Sequence, residues 1–93
     1  MAVTRKSRSI TMTAAADAVT GMIYVTSIAL SGTGMTAGQQ LQVTETGGAV
    51  IANHYVEAAN ENVELTGLEQ WFDGIVLATV PANGTWTVTV RYK

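Results

Sequence analysis

Residues 85–92, Thr-Trp-Thr-Val-Thr-Val-Arg-Tyr, alternate between two kinds of side chain without a break. Trp86, Val88, Val90 and Tyr92 fall on one side of an extended chain. Thr85, Thr87, Thr89 and Arg91 fall on the other. A period of two is the mark of a strand with one face buried, and it cannot be laid on a helix without scattering the apolar residues around the axis. The same period recurs along the chain. Ser9 to Thr13 alternates hydroxyl and apolar residues, Gln40 to Glu45 sets Leu41 and Val43 against Gln40, Gln42 and Thr44, and Asn62 to Thr66 places Val63 and Leu65 on one side. Residues 22–31 and 49–57 read as further strands. The 75–80 run Ile-Val-Leu-Ala-Thr-Val is continuously apolar, as for a strand covered on both faces.

Turn signals separate these segments. Thr46-Gly47-Gly48 is a tight hairpin, Pro81-Ala82-Asn83-Gly84 is a turn, and Ser31 to Gly34 and Thr36 to Gln39 are loops. Ala14 to Ala18 is ambiguous, with Asp17 as a turn residue. Gly67 to Gly74 reads as one helical turn or a structured corner. The apolar phase of 22–31 slips between Val25 and Ile28, which predicts a bulge or a bend from one sheet to another. About seven short strands and no long amphipathic helix specify an all-β fold. The expectation is a compact antiparallel β-sandwich, jelly-roll-like or Ig-like, spanning residues 9–93, with an N-terminal extended arm over residues 1–8.

Charge is segregated. Arg5, Lys6 and Arg8 lie at one end, Arg91 and Lys93 at the other, and all seven carboxylates lie between. If the first and last strands are neighbours, the five cations form one positive pole on an acidic body. Charged residues are only 13% of the 93, against roughly 25% in an ordinary soluble domain. A small, weakly charged surface is prone to association, so a partner-covered surface is expected.

The chemistry a catalyst needs is sparse. Without cysteine no disulfide or thiolate zinc site forms, and one histidine, His54, cannot build a multi-histidine site. Glu57, Glu61 and Glu64 cluster in a polar stretch and read as a solvated acidic edge. Ser31-Gly32-Thr33-Gly34 lacks the context of a phosphate loop. No enzymatic activity, cofactor or metal is expected. Nucleic acid is not an expected partner, because the body carries no cation among its aromatics. The start of the chain has no signal-peptide run, and no segment is long enough to span a bilayer. Trp71-Phe72 is the densest aromatic pair: either a plug closing one end of the core or a contact anchor. The expected interface set is therefore Arg5, Lys6, Arg8, Trp71, Phe72, Arg91 and Lys93.

Three stretches carry a resemblance. RSITMTAAADAVTGMIYVTSIAL, GGAVIANHYVEAANENVEL and WFDGIVLATVPANGTWTVTVRYK together resemble the small all-β virion proteins of tailed bacteriophages, over nearly the whole chain. The resemblance implies a non-enzymatic structural protein, most simply a decoration or cement protein that binds and stabilises the lattice of a major capsid protein. It also implies a place in the virion after assembly in the host cytoplasm, and a homo-oligomer, trimer or dimer. Bare strand edges suit such a role, because pairing with a neighbour turns them into interfaces. The alternative is a carbohydrate- or receptor-binding β-module of a head or tail appendage, using Tyr24, Tyr55, Trp71 or Trp86 as stacking faces; against this, Trp86 shares its face with Val88 and Val90 and reads as core.

Overall fold

The computed structural model describes residues 3–6, 9–65 and 68–93, with side chains from Ser9 onward. These residues form an all-β, antiparallel fold of eight strands: β1 (Val3–Lys6), β2 (Ser9–Met12), β3 (Ala18–Thr33), β4 (Gln40–Thr44), β5 (Val50–Tyr55), β6 (Glu61–Leu65), β7 (Gln70–Thr79) and β8 (Thr85–Tyr92). The strands join in the order β1-β2-β8-β3-β7-β4-β5, with β6 also on β3. Among the described residues no helix is long and apolar enough to cross a membrane.

The sixteen-residue β3 organises the molecule. Its second half pairs with β8 from Val25↔Tyr92 to Thr33↔Thr85. Its other edge takes β6 over Ile28 to Gly32 and β7 over Ala18 to Val25, so β6 and β7 lie end to end along it. The register with β8 shifts between Val25 and Ser27, where the sequence loses its phase. Ile23 and Val25 are buried before that shift, and Ser27, Ile28 and Leu30 after it. A bulge adds one residue and rotates the following side chains by half a period. One long strand can thereby turn apolar residues inward in both halves of a bent sheet.

The halves enclose one core. Ile10, Met12, Ile28, Leu30, Val88 and Val90 come from the β2-β8-β3 side, and Ile23, Leu41, Val43, Phe72, Ile75 and Leu77 from the β3-β7-β4 side. Met35 and Val56 close the gaps between them, as does Trp86, whose indole N–H donates to the Pro81 carbonyl at 3.2 Å. A buried indole needs such a partner.

Several expectations are corrected. Gln70 to Gly74 is extended as the first half of β7, not a helical turn or corner. Cross-strand pairs with β3 hold it open, from Val25↔Gln70 to Met22↔Asp73. Residues 75–80 are buried on one face only: Ile75 and Leu77 point in, whereas Ala78 and Thr79 are exposed. Ser31 to Thr33 continues β3 rather than looping, held by β8 and β6. Four residues of the expected arm form β1, which pairs with β2 from Val3↔Met12 to Lys6↔Ser9. Thr13 to Asp17 does turn: the Asp17 carboxylate, fully buried, accepts the Thr13 and Ala14 amides. The Pro81 to Gly84 turn packs on Thr33 and Gly34. Gly84 has φ +87, and a Cβ there would overlap the Thr33 carbonyl, so glycine is required.

Candidate interaction surface

Period-two alternation fixes what the outer face of the β3-β7 half displays. Ile23 and Phe72 are a cross-strand pair facing inward, so their neighbours Met22, Tyr24, Trp71 and Asp73 face out. Tyr24 lies directly opposite Trp71, and Met22 opposite Asp73. The Tyr24 and Trp71 rings meet edge to face, with centroids 5.6 Å apart and planes at 82°, a favoured geometry for an aromatic pair. The Tyr24 hydroxyl donates to the Glu69 carbonyl at 3.0 Å and fixes the ring. Trp71 remains 59% exposed and Met22 63%. Two large apolar side chains, diagonal to each other across β3 and β7, are thus left in solvent on the face that carries Tyr24.

The basic C-terminus borders this face. The Lys93 amide donates to the Tyr24 carbonyl at 3.0 Å, and its ammonium lies 5.4 Å from the Tyr24 ring centre. Arg91 places its Nε 3.7 Å from a Glu64 carboxylate oxygen, with both side chains about half exposed. In register, Lys6 stands opposite Ser9, and Ser9 opposite Arg91. Two strand spacings, about 10 Å, therefore separate the Lys6 and Arg91 backbones. Arg5 is one position further along β1, and Arg8 lies outside the described residues.

The structure thus gathers Trp71, Arg91 and Lys93 toward one end of the strands, and the β1 backbone carrying Arg5 and Lys6 stands in register with that end, on the far side of β8 and β3 from Trp71. It separates Phe72 from them. Phe72 is buried among the core residues and is no interface residue. Strand geometry sends adjacent side chains to opposite faces, so Trp71 is displayed in solvent while Phe72 is packed inward. Sequence reasoning named Tyr24 only as a sugar-stacking candidate and did not single out Met22. The available signal was the phase of β3: with Ile23 and Val25 inward, 22 and 24 must face out.

The acidic stretch contains a second arrangement. His54 Nε2 and Glu61 Oε1 are 2.6 Å apart, with both side chains mostly buried. Glu61 Oε2 accepts the Glu57 amide at 3.1 Å. The histidine bond, aided by that amide and by attraction to the ring, holds the Glu61 carboxyl below the usual carboxylate range, against a burial effect in the other direction. Glu61 is therefore not solvated like its neighbours but fastens β5 to the start of β6 across the 56–60 turn. A shallow, open groove of about 220 Å³ runs between Ala29-Leu30-Ser31 and Asn62-Val63-Glu64. Among the described residues no three His, Cys, Asp or Glu side chains are gathered to hold a metal ion.

No protein-family model matches the chain, and no curated protein matches it. Among solved structures it is similar to an RmlC-like cupin protein from Desulfovibrio desulfuricans, at 11% identity and a TM-score of 0.33, covering 96% of this chain and 77% of that one. It is also similar to CapF, a capsular polysaccharide assembling protein from Staphylococcus aureus, again at 11% identity and TM-score 0.33. That match covers 98% of this chain and 28% of CapF.

Proposed function

We propose that this chain is a non-enzymatic virion structural protein of a tailed phage, a decoration protein that docks on the major capsid protein lattice through its Met22-Tyr24-Trp71 face. The observation that carries the reading is the exposed, edge-to-face Tyr24–Trp71 pair with Lys93 at its border. Rigid exposed aromatics are what interfaces use as anchors, because they bring large area at little entropy cost. The low charge of the chain and its resemblance to small virion proteins support the same reading. The basic residues at the two termini would steer the approach to an acidic shell surface.

The test is binding of the folded protein to phage shells stripped of it. Trp71→Ala is expected to weaken binding about 30-fold or more, the effect of losing an interface hot spot. Unchanged affinity would overturn the assignment of this face. The exposure of Trp71 also suits sugar stacking, whereas Trp86 is buried and takes no part in it. Glycan-array binding that disappears in Trp71→Ala, together with no binding to shells, would favour a carbohydrate-binding module instead.

A further inference from the structure

Among the described residues three strands present an outer edge: β1, β6 and β5. Unpaired edges template further pairing, and proteins normally guard them with charge or proline. β1 carries Arg5 and Lys6, and β6 carries Glu61 and Glu64. β5, Val-Ile-Ala-Asn-His-Tyr, has no Lys, Arg, Asp, Glu or Pro. Its histidine, His54, is turned toward Glu61. Two of the four large hydrophobic residues exposed among the described side chains, Val50 and Tyr55, also lie on this six-residue strand.

The backbone direction of β5 can be read from its end. The Val56 amide donates to Gln39 and its carbonyl accepts from Gly38, so Val56 turns both groups toward β4. These directions alternate along a strand. His54 therefore also faces β4, while Tyr55 and Asn53 aim their N–H and C=O groups away from it, at the open edge.

We infer that β5 is a self-pairing edge, at which a second copy of this chain adds its own β5 antiparallel about a two-fold axis at Asn53. The symmetry restricts the register. A two-fold axis perpendicular to the sheet keeps every side chain on its own face, so paired residues must be an even number apart. Centring on Asn53 meets this condition. Asn53 exchanges both its backbone hydrogen bonds with its own symmetry mate, on the regular part of β5 that lies clear of the bulge at Ile51. Centring one residue later, on His54, would set two histidines against each other. No charged side chain of β5 opposes another in the Asn53 register, so a second copy meets no like-charge repulsion. The inference stands apart from the lattice-binding reading, because the Tyr24–Trp71 face lies on β3 and β7 and stays open in such a dimer.

Light scattering and sedimentation of the full chain over a concentration series test it, with no capsid present. The expected result is a dimer, with the Asn53 and Tyr55 amides protected from hydrogen exchange at high concentration and not on dilution. Asn53→Pro removes the donor at the axis from each copy, two hydrogen bonds in all, and is expected to raise the dissociation constant about 30-fold. Asn53→Lys keeps a backbone donor at an exposed position and sets two ammonium groups across the axis. It is expected to give a folded monomer by circular dichroism, and it decides the matter if the proline variant does not fold. A wild-type chain that stays monomeric at every concentration, or an Asn53→Lys variant that dimerises as tightly as wild type, overturns the inference. Loss of shell binding in Trp71→Ala leaves this dimer intact.

Discussion

Trp71 and Trp86 are the two tryptophans of the chain, and the fold treats them in opposite ways. Trp86 is 9% exposed, sits among Leu30, Met35 and Val88 in the core, and has its indole N–H bonded to Pro81. Trp71 is 59% exposed, touches a tyrosine edge to face, and adds little to the core. Strand parity alone divides them: Trp86 is in phase with Val88 and Val90, whereas Trp71 is out of phase with Phe72. The difference separates what holds the protein together from what it presents. A buried tryptophan stabilises in proportion to the apolar area it removes from water. An exposed one leaves that area in water until a partner covers it.

The sharpest way to break the comparison is to truncate both. Trp86→Ala removes a large core side chain and strands the Pro81 carbonyl, so urea unfolding should show a loss of about 3–5 kcal/mol. For a domain of this size that is much of the total stability. Trp71→Ala loses an edge-to-face contact and half-exposed area, and should cost within about 1 kcal/mol. Equal losses in the two variants would mean that the outer face is part of the stabilising structure, and the division between core and display would fail.

Much of this division was legible beforehand. The alternation of 85–92, Leu41 and Val43 inward, the hairpin at Thr46 to Gly48 and the phase slip after Val25 each follow from residue spacing, because inner and outer faces differ in polarity. Gly48 has positive φ, and its amide closes the turn on Glu45. Within the corner expected at 67–74, the first half of β7 was not legible as strand, because Gln70 and Asp73 mask a period that only pairing with β3 enforces; Gly67 lies outside the described residues. Nor was β1: Thr-Arg-Lys has no apolar face to signal a strand, and its structure depends on the bare edge of β2. The His54–Glu61 bond joins residues seven apart across a turn, and no local pattern encodes that approach. On the outer face, Trp71 is displayed and Phe72, its chain neighbour, is turned into the core, while Met22 carries no signal of its own beyond the phase of β3.

A smaller effect sharpens the contrast between a bonded and a merely exposed carboxylate. Glu61 is held ionised by His54 and the Glu57 amide, so its carboxyl titrates lower in the folded chain than in the unfolded one. The unfolded state then binds the proton more readily, and stability rises with pH through that interval. The contribution is fully present above the ordinary glutamate range and is lost as the pH falls through the lower, folded value. Glu61→Gln should cost about 1 kcal/mol at neutral pH. It should also flatten the acid side of the stability profile, measured by urea unfolding at a series of pH values. Glu64→Gln, whose arginine contact is longer and half exposed, should leave the profile nearly unchanged. An acid slope that survives Glu61→Gln would remove His54–Glu61 from the account.

The smallest effect concerns the border between aromatic face and basic end. Lys93 lies over Tyr24, and an exposed cation–aromatic contact contributes about 0.5–1 kcal/mol. Lys93→Gln should therefore lower stability by about half a kcal/mol, close to the limit of an unfolding experiment, and salt should barely alter that loss because the contact is short. Its larger signature belongs to docking. If the terminal cations steer the protein onto an acidic surface, replacing Arg5, Lys6, Arg8 and Lys93 together by glutamine should slow association with shells and flatten its dependence on ionic strength, while leaving dissociation nearly as it was. Substitution is the right tool here. Deleting residues 1–8 would also strip β1 from β2 and bare a new strand edge, confounding charge with structure. A quadruple variant that associates at the wild-type rate and with the wild-type salt slope would leave the aromatic face as the whole of the docking surface and the basic ends as bystanders.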